Sequence, residues 1–171
     1  MAQIAANPWL FQTTDQASQF NISSLVNAAK SRSALVTTSA PHGLSAGSQI
    51  SLQNITGVPA YKGGYVVQSV PSTTTFWIQD DKLIGLGNSN ASGYVYTAAY
   101  LPLIRIEQLL WQSPGASATV FLTDVYGNQI YANTTIASTG TDEVYTYGKL
   151  YWIRGLVINT LSSGTVQMTI N

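Results

Sequence analysis

Apolar and polar residues alternate in short runs along this chain, and turn-forming residues separate the runs. Residues 49–53 and 165–170 are clear examples, with an apolar side chain at every second position. β-Branched and aromatic residues are frequent in such runs, and Gly, Pro, Asn and Ser interrupt them every 8–12 residues or so. Because a period of two is typical of half-buried strands, the pattern predicts an all-β protein.

The order of these runs divides the chain into three parts. Residues 1–33 form an extended N-terminal arm, in which residues 23–30 have the pattern of a short helix or of a loop. This arm is also a candidate first strand for the C-terminal sheet. Residues 34–97 form a compact β module, and residues 98–171 form a small antiparallel β-sandwich.

Two turns in the C-terminal part have specific sequence signals. Asp124 precedes Gly127 at a spacing that lets its carboxylate accept a bond from the backbone of the turn. Residues 162–164, Ser-Ser-Gly, lie between two alternating runs and predict the last hairpin turn.

Charged residues are scarce. Only 8% of the 171 residues are charged, and seven acids balance seven bases, whereas about a quarter of residues are charged in average chains. A neutral surface promotes association. A neutral secreted domain would have this composition too, but we favour a component of a packed assembly.

The absence of a Lys/Arg cluster argues against nucleic acid and membrane partners.

The chain has no cysteine, and no apolar stretch in it approaches the length of a membrane span. Disulfides and thiolate chemistry are therefore excluded. The N-terminal sequence lacks the charged and apolar regions of a signal peptide. If the protein acts outside a cell, release inside a particle by lysis would fit this sequence.

Candidate catalytic groups are few. His42 is the only histidine, and its Pro-His-Gly-Leu context predicts a ring that binds backbone groups of a tight loop. The pairs Asp80-Asp81 and Asp142-Glu143 are adjacent in sequence, so on a strand their side chains would point to opposite faces. A calcium site at Asp80-Asp81 is a remote alternative. We expect no enzyme activity, no cofactor and no metal site.

The aromatic residues are the main candidates for contacts. We expect Trp77, Trp111 and Trp152 to lie in the core, although rings on strands can also form a sugar-binding face. The predicted interaction residues are an apolar anchor in the arm, which would order on a neighbouring subunit, and a tyrosine cluster at one end of the C-terminal part: Trp9, Leu10, Phe11, Tyr145, Tyr147 and Tyr151.

Residues 34–79 resemble a small β-barrel module of bacteriophage tail and capsid-associated proteins. The matching motifs, in order, are Pro41-His42-Gly43-Leu44, Ile55-Thr56-Gly57-Val58, a Gly63-Gly64-Tyr65 strand start and Thr74-Thr75-Phe76. Similar barrels are named for a domain of ubiquitin-activating enzymes, but that enzymology does not follow from the match. The resemblance implies a small barrel in a virion protein.

The C-terminal part is similar to small phage decoration proteins. The matching stretches are Ile104–Trp111, Val120–Ile130 and Arg154–Val166. This resemblance implies a virion-located capsid decoration (cement) protein that binds the major capsid protein or other virion proteins, as a homo-oligomer in the particle. The alternative is a tail, adaptor or fibre component with a carbohydrate- or receptor-binding module. A hydrolase ranks last.

Overall fold

The computed structural model of the chain describes residues 7–27, 31–86, 92–97, 99–112, 114–135 and 143–170, and along 143–151 it describes the strand without its side chains. The all-β class is confirmed. Within the described residues there are three single-turn 3-10 helices, Thr13–Asp15, Pro59–Tyr61 and Asp81–Leu83. The twelve strands are β1 (Trp9–Phe11), β2 (Gln19–Asn27), β3 (Ser33–Thr38), β4 (Gln49–Gln53), β5 (Gly63–Ser72), β6 (Thr75–Gln79), β7 (Tyr94–Thr97), β8 (Tyr100–Gln112), β9 (Thr119–Thr123), β10 (Gln129–Thr134), β11 (Glu143–Leu161) and β12 (Thr165–Ile170).

The chain forms two compact units. One unit, which contains the sheet, comprises Met1–Ala17, Pro102–Asp124 and Asn128–Asn171. The other contains the barrel and comprises Ser18–Leu101 with the short segment Val125–Gly127.

Six strands close into a barrel in the order β2-β3-β6-β5-β4-β7. Alternate residues of each strand enter its interior; along β3, for example, Ala34, Val36 and Thr38 are buried and the residues between them are half-buried. The expected small barrel is therefore confirmed. Its core is made of aliphatic and aromatic side chains that include Ile22, Leu25, Val36, Ile50, Leu52, Tyr61, Phe76, Ile78 and Val95.

The barrel begins earlier in the chain than residue 34, because β2 belongs to it. The helix expected over residues 23–30 is wrong for residues 23–27, which lie in β2 and pair with β3. Leu25 and Asn27 are buried, whereas Ser23 and Val26 are exposed. Burial of these side chains in the barrel outweighs the weak helical preference of the local sequence.

The other unit is antiparallel, as expected, and its strands are connected by pairing into a six-stranded sheet. The strand order is β1-β12-β8-β11-β9-β10. The two longest strands, β8 and β11, lie next to each other in the middle and each has a further partner on its other side.

Residues 9–11 form the edge strand β1 and are not a free arm. Trp9 lies opposite Met168 and Phe11 opposite Val166 of β12. Trp9 and Phe11 are only 6% and 2% exposed, and their rings meet edge to face at 6.3 Å between centroids. The N-terminal part thus supplies a strand to the C-terminal sheet, which was one of the expected possibilities.

The predicted Asp124 turn is confirmed. The chain also turns at residues 162–164, but the hairpin expected there is wrong, because β12 pairs with β1 and β8, so the two strands that this turn joins are not paired with each other. Gly164 has φ 79° between β11 and β12, a conformation that costs a glycine little. The turn is fixed by the indole N–H of Trp111, which donates to the carbonyl of Ser163 at 3.0 Å. In the other turn, the Asp124 carboxylate accepts from the backbone N–H of Asn128 at 2.8 Å and from its side-chain amide at 2.7 Å.

The burial of β1 leads to a first prediction. Replacing Phe11 with Ala should lower the free energy of unfolding by about 3–5 kcal/mol, because a buried aromatic side chain is removed from a packed sheet. Leu10→Ala is the matched control, since Leu10 is half-buried on the opposite face of the same strand, and its loss should be smaller. Urea denaturation of both variants measures the difference. Equal effects would show that β1 is not packed as described.

Candidate interaction surface

The single histidine holds a turn of the barrel. His42 is 3% exposed, and its Nδ1 accepts a hydrogen bond from the backbone N–H of Leu44 at 3.0 Å. Its ring meets Phe76 edge to face, with 5.2 Å between centroids. The sequence-based interpretation of His42 as a loop-stabilising residue is confirmed, and its geometry is that of a structural side chain.

The described carboxylates also serve local structure. Asp80 accepts from the backbone N–H of Lys82 at 2.9 Å and so caps the 3-10 helix that follows. Asp81 instead faces Arg32 at 3.2 Å in an exposed ion pair. Asp142 lies outside the described residues, as does the side chain of Glu143. Among the described residues, no group of three or more His, Cys, Asp or Glu could hold a metal ion.

A lysine and two tyrosines form a compact group in the barrel unit. The Lys82 ammonium lies 4.1 Å from the ring centroid of Tyr65 and 5.8 Å from that of Tyr126, and 3.7 Å from Asp80 Oδ2. The Tyr65 hydroxyl donates to the carbonyl of Tyr61 at 2.8 Å. Burial, with a smaller contribution from the charge of Asp80, raises the pKa of Tyr65 far above its ordinary value.

The pKa values of two further tyrosines, Tyr61 and Tyr100, are also raised. Burial raises the pKa of Tyr61, and its side-chain hydrogen bond with Asn27 opposes part of that rise. Burial also raises the pKa of Tyr100. All three phenols are therefore neutral hydrogen-bonding and packing groups at physiological pH, and none has the lowered pKa expected of an activated nucleophile or base.

The three tryptophans that were expected in the core differ in their exposure to solvent. Trp111 is fully buried, which confirms the expectation for that residue. Trp77 is half-buried on the outer face of β6. Trp152 is 57% exposed on β11, so its assignment to the core is wrong.

Trp152 belongs to a surface that we call the tryptophan surface, made of Leu103, Arg105 and Trp152. The guanidinium carbon of Arg105 lies 5.8 Å from the Trp152 ring centroid, a cation–π distance. Leu103 is 60% exposed, two residues before Arg105 on β8. Leu103 and Trp152 are the two most exposed of the large hydrophobic residues in the described part of the chain.

The positions of charged residues in the sequence indicate that Leu103 and Trp152 are exposed, which their hydrophobicity alone does not. In β8, Leu103 shares its face with Arg105 and Glu107, and the intervening Ile104 and Ile106 are buried. In β11, Trp152 is two residues from the exposed Arg154, with Ile153 buried between them. Because alternate residues of a strand share a face, the charged neighbours at this spacing indicate that Leu103 and Trp152 face outward.

The predicted interaction residues have different outcomes. Trp9 and Phe11 are corrected, because their side chains are buried within this chain's own sheet and are not available as an anchor. Leu10 is half-buried on the other face of β1. Tyr145, Tyr147 and Tyr151 lie on β11, but their side chains are outside the described residues, so their role stays a prediction.

Comparisons with protein-family models, with curated proteins and with solved structures find no match for this chain. Within the described residues, no helix has the length and apolar character needed to cross a membrane. The function must therefore be argued from the residues themselves.

The raised tyrosine pKa values predict a loss of stability in alkali. Unfolded tyrosine has a pKa of 10.0, and the folded value is higher, so the stabilisation is complete below pH 10 and is lost as the pH rises above it. For Tyr65, the free energy of unfolding should fall by up to about 1.4 kcal/mol per pH unit.

Tyr65→Phe isolates this effect. The variant should be less stable at neutral pH, because the hydrogen bond to Tyr61 is lost, but its stability should decline less steeply between pH 10 and the highest accessible pH. Denaturant unfolding of both proteins across this range measures the two slopes. Identical slopes would contradict a raised pKa for Tyr65.

Proposed function

We propose that this protein is a non-enzymatic structural component of a bacteriophage particle, specifically a capsid decoration (cement) protein that binds and stabilises neighbouring capsid subunits. The tryptophan surface is the observation that carries this proposal. Trp and Arg are the residues most enriched among those that dominate binding energy in protein interfaces. In this chain Arg105 and Trp152 lie within cation–π distance of each other, and Leu103, on the same face of β8 as Arg105, is exposed.

The distribution of charge supports an assembled state. With seven acids and seven bases in 171 residues, most of the polar surface consists of hydroxyl and amide groups. Such groups lose less free energy than charges when a neighbouring protein covers them. Zero net charge also removes the repulsion that keeps copies of a soluble monomer apart.

Three polar side chains that resemble candidate catalytic residues make structural hydrogen bonds. His42 binds its own turn, Asp80 caps a 3-10 helix, and Asp124 closes the turn at Asn128. These contacts favour a rigid scaffold, as do the phage-like motifs in both halves of the sequence. The major capsid protein is the proposed partner, and several copies would occupy each particle.

A tail, adaptor or fibre component with a carbohydrate- or receptor-binding module is the second candidate. It is favoured by one feature of the barrel, a groove lined by Asn21 and Asn54 whose described residues carry no charge. The two candidates differ in copy number. A decoration protein should approach the abundance of the major capsid protein, whereas a tail or adaptor component should be present in the few copies that tail symmetry permits.

The proposed function can be tested with purified particles. Quantitative mass spectrometry should find the protein at an abundance comparable to that of the major capsid protein. Recombinant protein added to particles that lack it should bind them, and Trp152→Ala should weaken this binding by about tenfold or more, because a central interface side chain is removed.

Val66→Ser is the matched control, because Val66 is an exposed apolar residue, 39% accessible, on the barrel. It should load like the wild type. Wild-type loading by Trp152→Ala would refute the tryptophan surface as the contact. Absence of the protein from purified particles would refute the virion role altogether.

A further inference from the structure

The barrel has an open groove of about 620 Å³ on its outer side, and none of the described residues that line it is charged. This volume lies within the range of about 300–1,000 Å³ that is usual for small-ligand sites. We call it the asparagine groove. Its lining includes Asn21, Asn54, Thr56, Ser92, Gly93 and Tyr94.

Strand pairing brings these residues together. Tyr94, at the start of β7, lies opposite Asn21 of β2 on one side and Gln53 of β4 on the other. Asn54 directly follows Gln53 at the end of β4. The backbone N–H of Ile22 donates to the carbonyl of Gly93 at 2.9 Å, which fixes β2 beside this end of β7.

The floor of the groove is closely fitted. A Cβ atom on Gly93 would lie 2.6 Å from Ile55 Cδ1 and 3.0 Å from the carbonyl oxygen of Gln53, so only glycine fits there. Thr56 and Ser92 are joined by a bond of 2.9 Å between their hydroxyls and by a backbone bond of 2.9 Å. The groove is therefore held by direct bonds between the segments that form it.

The amide groups of the groove are not used by the fold. Within the described residues, neither the side-chain amides of Asn21 and Asn54 nor the hydroxyl of Tyr94 has a hydrogen-bond partner. Asn54 also adopts φ 53°, a conformation that is uncommon for residues other than glycine. Two side-chain amides and the phenol of Tyr94 thus border one concave surface with their hydrogen-bonding capacity free.

In two other described grooves, side-chain amides are already hydrogen-bonded to the backbone. In the groove beside His42, Thr97 Oγ1 accepts from the backbone of Ser18, and Gln49 Oε1 accepts from that of Leu101. In the groove between β9 and β10, Asn133 Oδ1 accepts from the backbone of Thr134. The amide oxygens of Gln49 and Asn133 thus bond to the chain itself, whereas the amides of Asn21 and Asn54 do not, which makes the asparagine groove the strongest candidate for a ligand among these three.

We propose that the asparagine groove binds a neutral carbohydrate. Side-chain amides both donate and accept, as pairs of sugar hydroxyls require, and a tyrosine ring offers an apolar face with a polar tip. An anionic ligand would lose hydration without gaining an opposite charge. The openness of the groove suits a sugar unit that keeps one side in water. This binding role goes beyond the assembly role and does not depend on it.

A glycan array that contains neutral, sialylated and phosphorylated oligosaccharides tests the proposal with the intact protein. Neutral glycans should give saturable signals and the anionic ones should not. Titration of the best neutral glycan should then shift the side-chain amide NMR resonances of Asn21 and Asn54, which would locate the contact directly.

Two variants remove the amides with little risk to the fold. Asn54→Gly retains the positive φ, and Asn21→Ala changes an exposed position. Each should weaken binding by about tenfold or more, because the sugar hydroxyls lose their partners. Gln68→Ala is the matched control, since it removes an exposed amide of β5 outside the groove and should bind like the wild type.

Three results would overturn the proposal: an array without signal from neutral glycans, a preference for anionic glycans, or neutral-glycan binding that Asn54→Gly and Asn21→Ala both retain. Thermal unfolding of each variant, compared with that of the wild type, separates loss of binding from loss of structure. If both variants unfold at the wild-type temperature and bind poorly, the groove is the site.

Discussion

Strand β2 is shared between two neighbours, and the closed barrel depends on that sharing. Its first residues, Gln19–Asn21, pair with β7, and the rest pair with β3, with a register shift between Ile22 and Ser24. The short strand β7 in turn joins β2 to β4. Closure gives every barrel strand a neighbour on each side, so none of the described strands is a free edge.

The same closure creates the asparagine groove. At the point where β2 changes partners, Asn21 stands beside Tyr94, and the chain leaves β4 at Asn54. Backbone pairing thus positions the exposed amides of Asn21 and Asn54, which are not part of the barrel core. Two buried polar residues nearby, Ser51 and Gln53, differ from these exposed asparagines because their side chains are hydrogen-bonded within the barrel unit. The Gln53 amide donates to Ser51 Oγ at 3.0 Å, and the Ser51 hydroxyl donates to the carbonyl of Val125 at 2.7 Å. These two donors therefore have partners within the same unit.

Sequence reasoning succeeded where the determining interactions are local. The bonds that close the His42 turn and the Asp124 turn join residues two and four positions apart, and both turns were predicted. The turn at Gly164 was located as well, but the hairpin expected there was wrong, because the pairing of β12 with β1 and β8 is not a local interaction. Sequence reasoning failed for Ser23–Asn27 of β2, because the apolar spacing of this short segment also fits a helix, and only its pairing with β3 and its burial in the barrel select the strand. The groove was not predicted for a similar reason: Asn21, Asn54 and Tyr94 are far apart in the chain and meet only through pairing.

Trp111 and Trp152 show how register, more than residue type, decides what a side chain does in this protein. Both lie on long central strands, yet one is buried and bonded to the Ser163 carbonyl, whereas the other stands outside with Arg105 against its ring. Alternation fixes the face, and a one-residue shift would exchange the two outcomes. The tryptophan surface and the asparagine groove are likewise different in chemistry, one aromatic and cationic, the other neutral and amide-rich. They belong to separate compact units, so a failure of one proposal leaves the physical argument for the other unchanged.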